Sequence, residues 1–315
     1  MRRRSMSPPR HVAFPPALPA RPRPRRFLDP VGGWFRSLER RASYALSRWV
    51  FPRVPGMTRP YGAILSRALS VEEADLPLRA LHPDLDGARV LFVSDVHAGP
   101  FLAPDDLAEA FDRLLTLAPD VVVHGGDLAT TRIDEIEPHA SALRRLKGPL
   151  GAFAVLGNHD HYTGRPERVL AFLRTCGVHT LHNEAAVVRR GDGTLLLAGI
   201  DDWNIGKPRL AHTLAAARAL DARAPIVVVS HNPDAFFEAS TAGASAVLSG
   251  HTHGGQVRFP GLPVLVRMSR YRLDEGLYLH GGATLVVSRG LGVSGIPLRL
   301  GVAPEAALLT LRRVP

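Results

Sequence analysis

From Ala88 onward the chain is punctuated by apolar runs rich in β-branched residues, each stopping at a polar cluster: RVLFVSD, PDVVVHGGD, GAFAVLGNHD, LLLAGIDD, APIVVVSHNPD and ASAVLSGHTH. Runs this continuous predict strands covered on both faces. Between several of them, apolar residues recur at helical spacing, in 103–117, 134–147, 165–175 and 207–220. Strands alternating with helices predict a layered α/β architecture. After about residue 256 the pattern becomes strand on strand, in VLVRM, GLYLHG, ATLVVSRG and AALLTL, which suits a sheet flank without intervening helices.

Upstream of that domain, placed at 87–315, the pattern differs. Residues 1–32 are Arg- and Pro-rich, with no apolar stretch long enough for a signal peptide core or a membrane span, and are expected to be disordered. In residues 33–51, Trp34, Leu38, Ala42, Ala45 and Trp49 recur on one helical face while Arg36, Arg40, Ser43 and Ser47 fall on the other. That predicts a basic amphipathic helix, suited either to an anionic membrane surface or to packing on the folded body. Residues 52–86 read as a linker.

Charge changes the picture only at the N-terminus. The chain has 315 residues and a formal net charge of +10, but residues 1–60 hold 14 Arg against Asp29 and Glu39. Subtracting these from 39 basic and 29 acidic residues leaves 25 against 27, so the body is close to neutral. Nucleic acid is therefore a weak candidate partner. The single cysteine, Cys176, excludes an intramolecular disulfide and any cysteine metal cage, so a metal must be held by N and O donors.

The clusters that end the runs supply such donors: Asp95 and His97, Asp127, Asn158 with His159 and Asp160, His231, and His251 with His253. Strand ends are where ligands collect in α/β sheets. Taken singly each has an ordinary reading as a turn residue or a buried hydrogen-bonder. In series they suit borderline divalent metals such as Mn, Fe, Zn, Co or Ni, with one carboxylate bridging two ions roughly 3.5–4 Å apart. Asp127, alone in its cluster beside Gly125 and Gly126, is the best candidate bridge.

The order of D-x-H, G-D, G-N-H-D, an isolated His and G-H-x-H resembles the calcineurin-like metallophosphoesterases from Asp95 to His253. The resemblance implies a four-layer α-β-β-α sandwich with a dinuclear site between strand ends. It implies that Asp95, His97 and His253 hold one metal, that Asn158, His231 and His251 hold the other, and that Asp127 bridges. If residues 251–253 are extended, His251 and His253 point the same way and reach adjacent ions, with Gly254 and Gly255 letting the backbone turn close by.

Such a site hydrolyses phosphoesters with a metal-bridging hydroxide. His159 then donates a proton to the leaving oxygen or a hydrogen bond to the phosphoryl oxygens. Asp160 either orients that imidazole or shapes a turn. Arg289 and Arg299 either contact substrate phosphate or are solvated arginines, and His161 is a candidate pocket residue. LATTR after Asp127 departs from the protein serine/threonine phosphatases. The ending SRGLGVSGIPLRLGVAPEAALLTL looks like that of a bacterial stand-alone phosphodiesterase subgroup, some acting on lipid-linked or UDP-diacylglucosamine substrates. The expectation is a phosphodiesterase or pyrophosphatase, cytoplasmic and peripheral to the membrane, its substrate lipid-linked. The rivals are a non-catalytic metal-binding scaffold, which would have no need of His159, and a nuclease using the basic tail.

Overall fold

The computed structural model describes residues 60–259, 264 and 266–315, together with 10–11, 45, 49–50 and 53–54. The strands are β1 (Arg10–His11), β2 (Ser70–Arg79), β3 (Arg89–Val93), β4 (Val121–His124), β5 (Ala152–Ala154), β6 (His179–Thr180), β7 (Glu184–Arg190), β8 (Gly193–Gly199), β9 (Ile226–Val229), β10 (Ala246–Ser249), β11 (Gly276–His280), β12 (Ala283–Val287) and β13 (Glu305–Val314). They form a seven-stranded sheet of order β1-β2-β13-β3-β4-β5-β6 and a six-stranded sheet of order β11-β12-β10-β9-β8-β7.

Three apolar layers hold these sheets. Phe92, Val123 and Phe153 from the first sheet meet Leu197, Val229 and Leu248 from the second in a buried core between them. On the outer face of the first sheet, Leu91, Val93 and Val122 pack against Leu107, Phe111 and Leu114 of the helix Pro104–Leu115 and Val169 and Leu173 of Pro166–Thr175. On the outer face of the second, Leu196, Val228 and Val247 meet Leu214 and Ala217 of Leu210–Leu220 and Phe236 of Phe236–Thr241. Apolar side chains on both faces of β3, β4, β9 and β10 explain their continuous runs. The architecture is the expected α-β-β-α sandwich.

Some elements depart from expectation. Residues 60–86 are not a linker: Pro60–Ala68 is a helix and β2 runs parallel to β13 along Ser70–Arg79. Ala74, Leu76 and Leu78 of β2 alternate inward and are buried, while Pro77 is tolerated beside a sheet edge that only β1 extends. The segment 134–147 is broken at Pro138 into two 3₁₀ turns and the short helix Ala140–Arg145. VLVRM, at 264–268, is not a strand at its described positions. Of the tail 1–32, only Arg10–His11 is described, paired with Glu72 and Glu73, and most of the expected helix 33–51 lies outside the described residues. Among those residues no helix is long and apolar enough to cross a membrane.

Candidate metal centre

The carboxyl ends of β3, β4 and β5 in one sheet and of β9 and β10 in the other open onto the same place. Each delivers its polar cluster within a few residues of the strand end. Three groups of donor atoms result, each with its atoms within 4.8 Å of one another: Asp95, His97 and His253; His97, Asp127 and His159; Asp127, His231 and His251. Asp127 belongs to two of them. Five of these donor residues carry backbone strain, since Asp95, His97, Asp127, His251 and His253 have φ of 54°, 47°, 53°, 73° and 50°. Left-handed backbone at non-glycine residues persists only where the surrounding structure enforces it.

Glycines make room for this convergence. A Cβ on Gly157 would stand 2.2 Å from Asp127 Oδ1, and one on Gly250 would stand 2.2 Å from Asp95 Oδ2. The Gly254-Gly255 pair has another reason. Both have positive φ, and a Cβ on Gly255 would meet Val264 Cγ1 at 2.4 Å rather than a ligand. The extended geometry expected for 251–253 is also absent, because left-handed His251 and His253 flank Thr252 at φ −84°, ψ −18°. Both imidazoles still enter the donor groups, through a tight loop instead of strand alternation. Thr252 is itself buried, its hydroxyl donating to the Asp274 carbonyl at 2.6 Å.

The donor set fits divalent cations. His231 Nδ1 donates to the Gly125 carbonyl at 2.8 Å, which leaves the lone pair of the neutral ring on Nε2. That Nε2 has no good hydrogen-bond partner and faces Asp127 Oδ2 at 3.1 Å. A lone pair facing a carboxylate repels it unless a proton or a cation lies between. Asn158 Oδ1 is likewise buried without a partner. Burial, with neighbouring histidines, lowers His97, His251 and His253, His251 to about 3, so these rings are neutral donors. Burial opposes a charge on His231, yet Asp127, Asp95 and Asp202 raise it to about 10. A proton there takes the place a cation would fill.

The remaining expected residues divide. His159 Nδ1 donates to the Thr130 carbonyl at 2.6 Å, and its Nε2 lies 3.3 Å from Ser294 Oγ at the edge of the donor groups. Asp160 does not orient that ring. Its oxygens accept from Ala129 N–H at 3.0 Å and Gly157 N–H at 2.9 Å, tying the Asp127 loop to the His159 loop. His161 Nε2 is paired with Asp201 Oδ1 at 2.6 Å. Asp201 was legible as part of GIDD at the end of β8, but no spacing rule paired it with His161.

Neither arginine is a freely solvated side chain. Arg289 is held by Glu72 at 2.7 Å and Glu305 at 2.5 Å, with Glu275 at 3.8 Å, so its guanidinium neutralises a cluster of carboxylates. Arg299 is buried, donating to the carbonyls of Arg289, Gly290 and Gly292, and Nη2 lies 3.3 Å from His253 Nδ1. That loop in turn packs on the centre, where Gly292 N–H donates to the Asp95 carbonyl at 2.6 Å. Removing Arg289 leaves three carboxylates together. Arg289→Met is expected to cost about 3 kcal/mol, or roughly 6–12 °C in melting temperature, with KM for a soluble ester unchanged. A raised KM at unaltered melting temperature would restore the substrate role.

Comparison with known proteins places the centre in a family. Residues 88–255 match the calcineurin-like phosphoesterase family, from β3 to the loop that carries His253. The chain is 34% identical over 253 residues to a transmembrane protein with metallophosphoesterase domain from Danio rerio, covering 77% of this chain and 57% of that protein. It is 31% identical over 233 residues to the uncharacterized metallophosphoesterase YkuE of Bacillus subtilis, covering 72% and 80%. An uncharacterized metallophosphoesterase of Aquifex aeolicus is 32% identical over 229 residues, covering 71% and 85%. The chain thus spans little more than half the length of its vertebrate relatives, 57% for Danio rerio and 58% for Bos taurus. The donor groups fall inside the matched region, and the chain belongs to the calcineurin-like phosphoesterase family.

Proposed function

We propose that the protein is a metal-dependent hydrolase of phosphodiesters or phosphoanhydrides. The observation that carries this is the sharing of Asp127 between donor groups from both sheets. Asp95, His97 and His253 would hold one divalent ion, and Asn158, His231 and His251 the other, with Asp127 between them. Bound there, the ions would supply charge to polarise the phosphoryl group and acidify water. The chain's own contribution lies at His159. The Thr130 carbonyl holds the Nδ1 proton, so Nε2 is the atom that meets the leaving oxygen, as a donor when the ring is charged. Ser294 Oγ, 3.3 Å away, steadies Nε2 between turnovers.

The diester preference rests on charge. A scissile monoester brings two negative charges and a diester one. Arg289 and Arg299 are both consumed by carboxylates and carbonyls, so neither is placed to meet a second charge. With Mn, Zn or Ni supplied in turn, bis-para-nitrophenyl phosphate is expected to exceed para-nitrophenyl phosphate in kcat/KM by about tenfold or more, at least 1.4 kcal/mol of transition-state preference. Equal or reversed rates would remove the diester assignment. No hydrolysis of either by metal-loaded protein would favour a scaffold.

A further inference from the structure

Large apolar side chains stand exposed beside the candidate centre: Phe259, Val266, Met268, Ile296, Leu298 and Leu300, each between 41% and 52% exposed. They lie on two chain segments that are tied together. Val257 and Leu300 form a parallel bridge, Arg258 N–H donates to the Leu300 carbonyl at 2.7 Å, and Gln256 Nε2 donates to the Ile296 carbonyl at 3.2 Å. The same segments border the donor groups. Gln256 Oε1 accepts from Ser294 N–H at 2.9 Å, and Ser294 Oγ stands 3.3 Å from His159 Nε2. An exposed apolar residue alone is ordinary, but a cluster at the rim of a catalytic centre marks a surface that is covered in use.

The charges around this cluster narrow what covers it. Arg258 pairs with Glu275 and Arg267 with Asp274, while Arg270 and Arg272, two and four positions after Met268 in the chain, are exposed. The nearby Asp234 is turned inward, accepting from Ser269 Oγ at 2.6 Å and from Arg270 N–H at 3.1 Å. Apolar side chains with adjacent exposed arginines complement an anionic lipid headgroup layer, where the former enter the acyl boundary and the latter meet phosphate.

We propose that the face formed by Phe259, Val266, Met268, Ile296, Leu298 and Leu300 docks on an anionic phospholipid surface. Docked there, the protein presents its donor groups to phosphoesters held at the bilayer interface, a consequence that rests on the hydrolase reading above. The contact is separate from residues 33–51 and does not require them.

The test uses the full chain and sedimentation with phosphatidylglycerol–phosphatidylcholine vesicles. The combined variant Phe259→Asp, Met268→Asp, Leu298→Asp is expected to lose about tenfold or more in vesicle partitioning, with hydrolysis of bis-para-nitrophenyl phosphate in solution within about twofold of the parent. Arg270→Glu with Arg272→Glu, which leaves the apolar residues in place, is expected to weaken partitioning on anionic vesicles and not on pure phosphatidylcholine. A Trp34→Asp, Trp49→Asp variant reports the share of residues 33–51. Unchanged partitioning in both loop variants, or loss confined to the tryptophan variant, would overturn the proposal. So would a fall in oligomeric mass of the loop variant, which would show that the face covers a second copy. If the parent binds vesicles through these loops but hydrolyses no soluble ester, the hydrolase reading fails and the docking surface stands.

Discussion

Asp127→Asn is expected to leave a folded protein that no longer retains two divalent ions per chain, with turnover of a soluble phosphodiester lowered by roughly three orders of magnitude or more, about 4 kcal/mol of transition-state stabilisation. The substitution changes one oxygen for an amide, but at a residue shared between donor groups. Asp127 is buried, which by itself would push its pKa up, yet His231 and His159 hold it well below the ordinary range. It is therefore the ionised carboxylate at the heart of the cluster. The amide keeps an acceptor for the His159 N–H, which donates to Oδ1 at 2.7 Å, so the loop survives while the charge is lost. Elemental analysis after dialysis, beside kcat on the same sample, measures both effects. Full occupancy with full turnover would reject the assignment of Asp127 as the shared ligand.

His159→Asn should separate chemistry from metal capture. With Nδ1 fixed by the Thr130 carbonyl, only Nε2 faces the reacting groups, and its loss is expected to lower kcat by about 10²–10⁴ while both ions remain bound. The defect should depend on the leaving group. An alkyl ester, whose alkoxide must be protonated as it departs, is slowed more than a para-nitrophenyl ester, whose anion leaves unaided. Equal slowing of the two would assign His159 to the phosphoryl oxygens instead, and loss of metal with the ring would make it a ligand. The second result has structural footing to test, since His159 also stands in a donor group with His97 and Asp127.

Much of this was written in local sequence. The strands that carry the donors are buried on both faces, so continuous apolar runs announced them, and five of the six runs end at residues of the donor cluster, the exception being LLLAGIDD. What local pattern missed has physical causes. β2 reads as SVEEADLPLR, and its acids and Pro77 obscure the alternation of Ala74, Leu76 and Leu78 that buries it. The loop at His251 and His253 adopts left-handed backbone that spacing rules for strands do not contain. Arg289 meets carboxylates on three separate segments, Glu72, Glu275 and Glu305, and the partners of Asp160 and Arg299 are mainly backbone atoms, which residue types do not reveal. Asp160 sits beside His159 in the chain and acts on the neighbouring loop.

β13 lies between β2 and β3, pairing in parallel with one along Glu305–Val314 and antiparallel with the other. A growing polypeptide reaches Asp95 and His97 some two hundred residues before it supplies the strand that seats them. The first sheet must therefore wait, with an open gap beside β3, until residues 305–314 have emerged. Synthesis arrested shortly before that point leaves every candidate donor present and the frame unclosed.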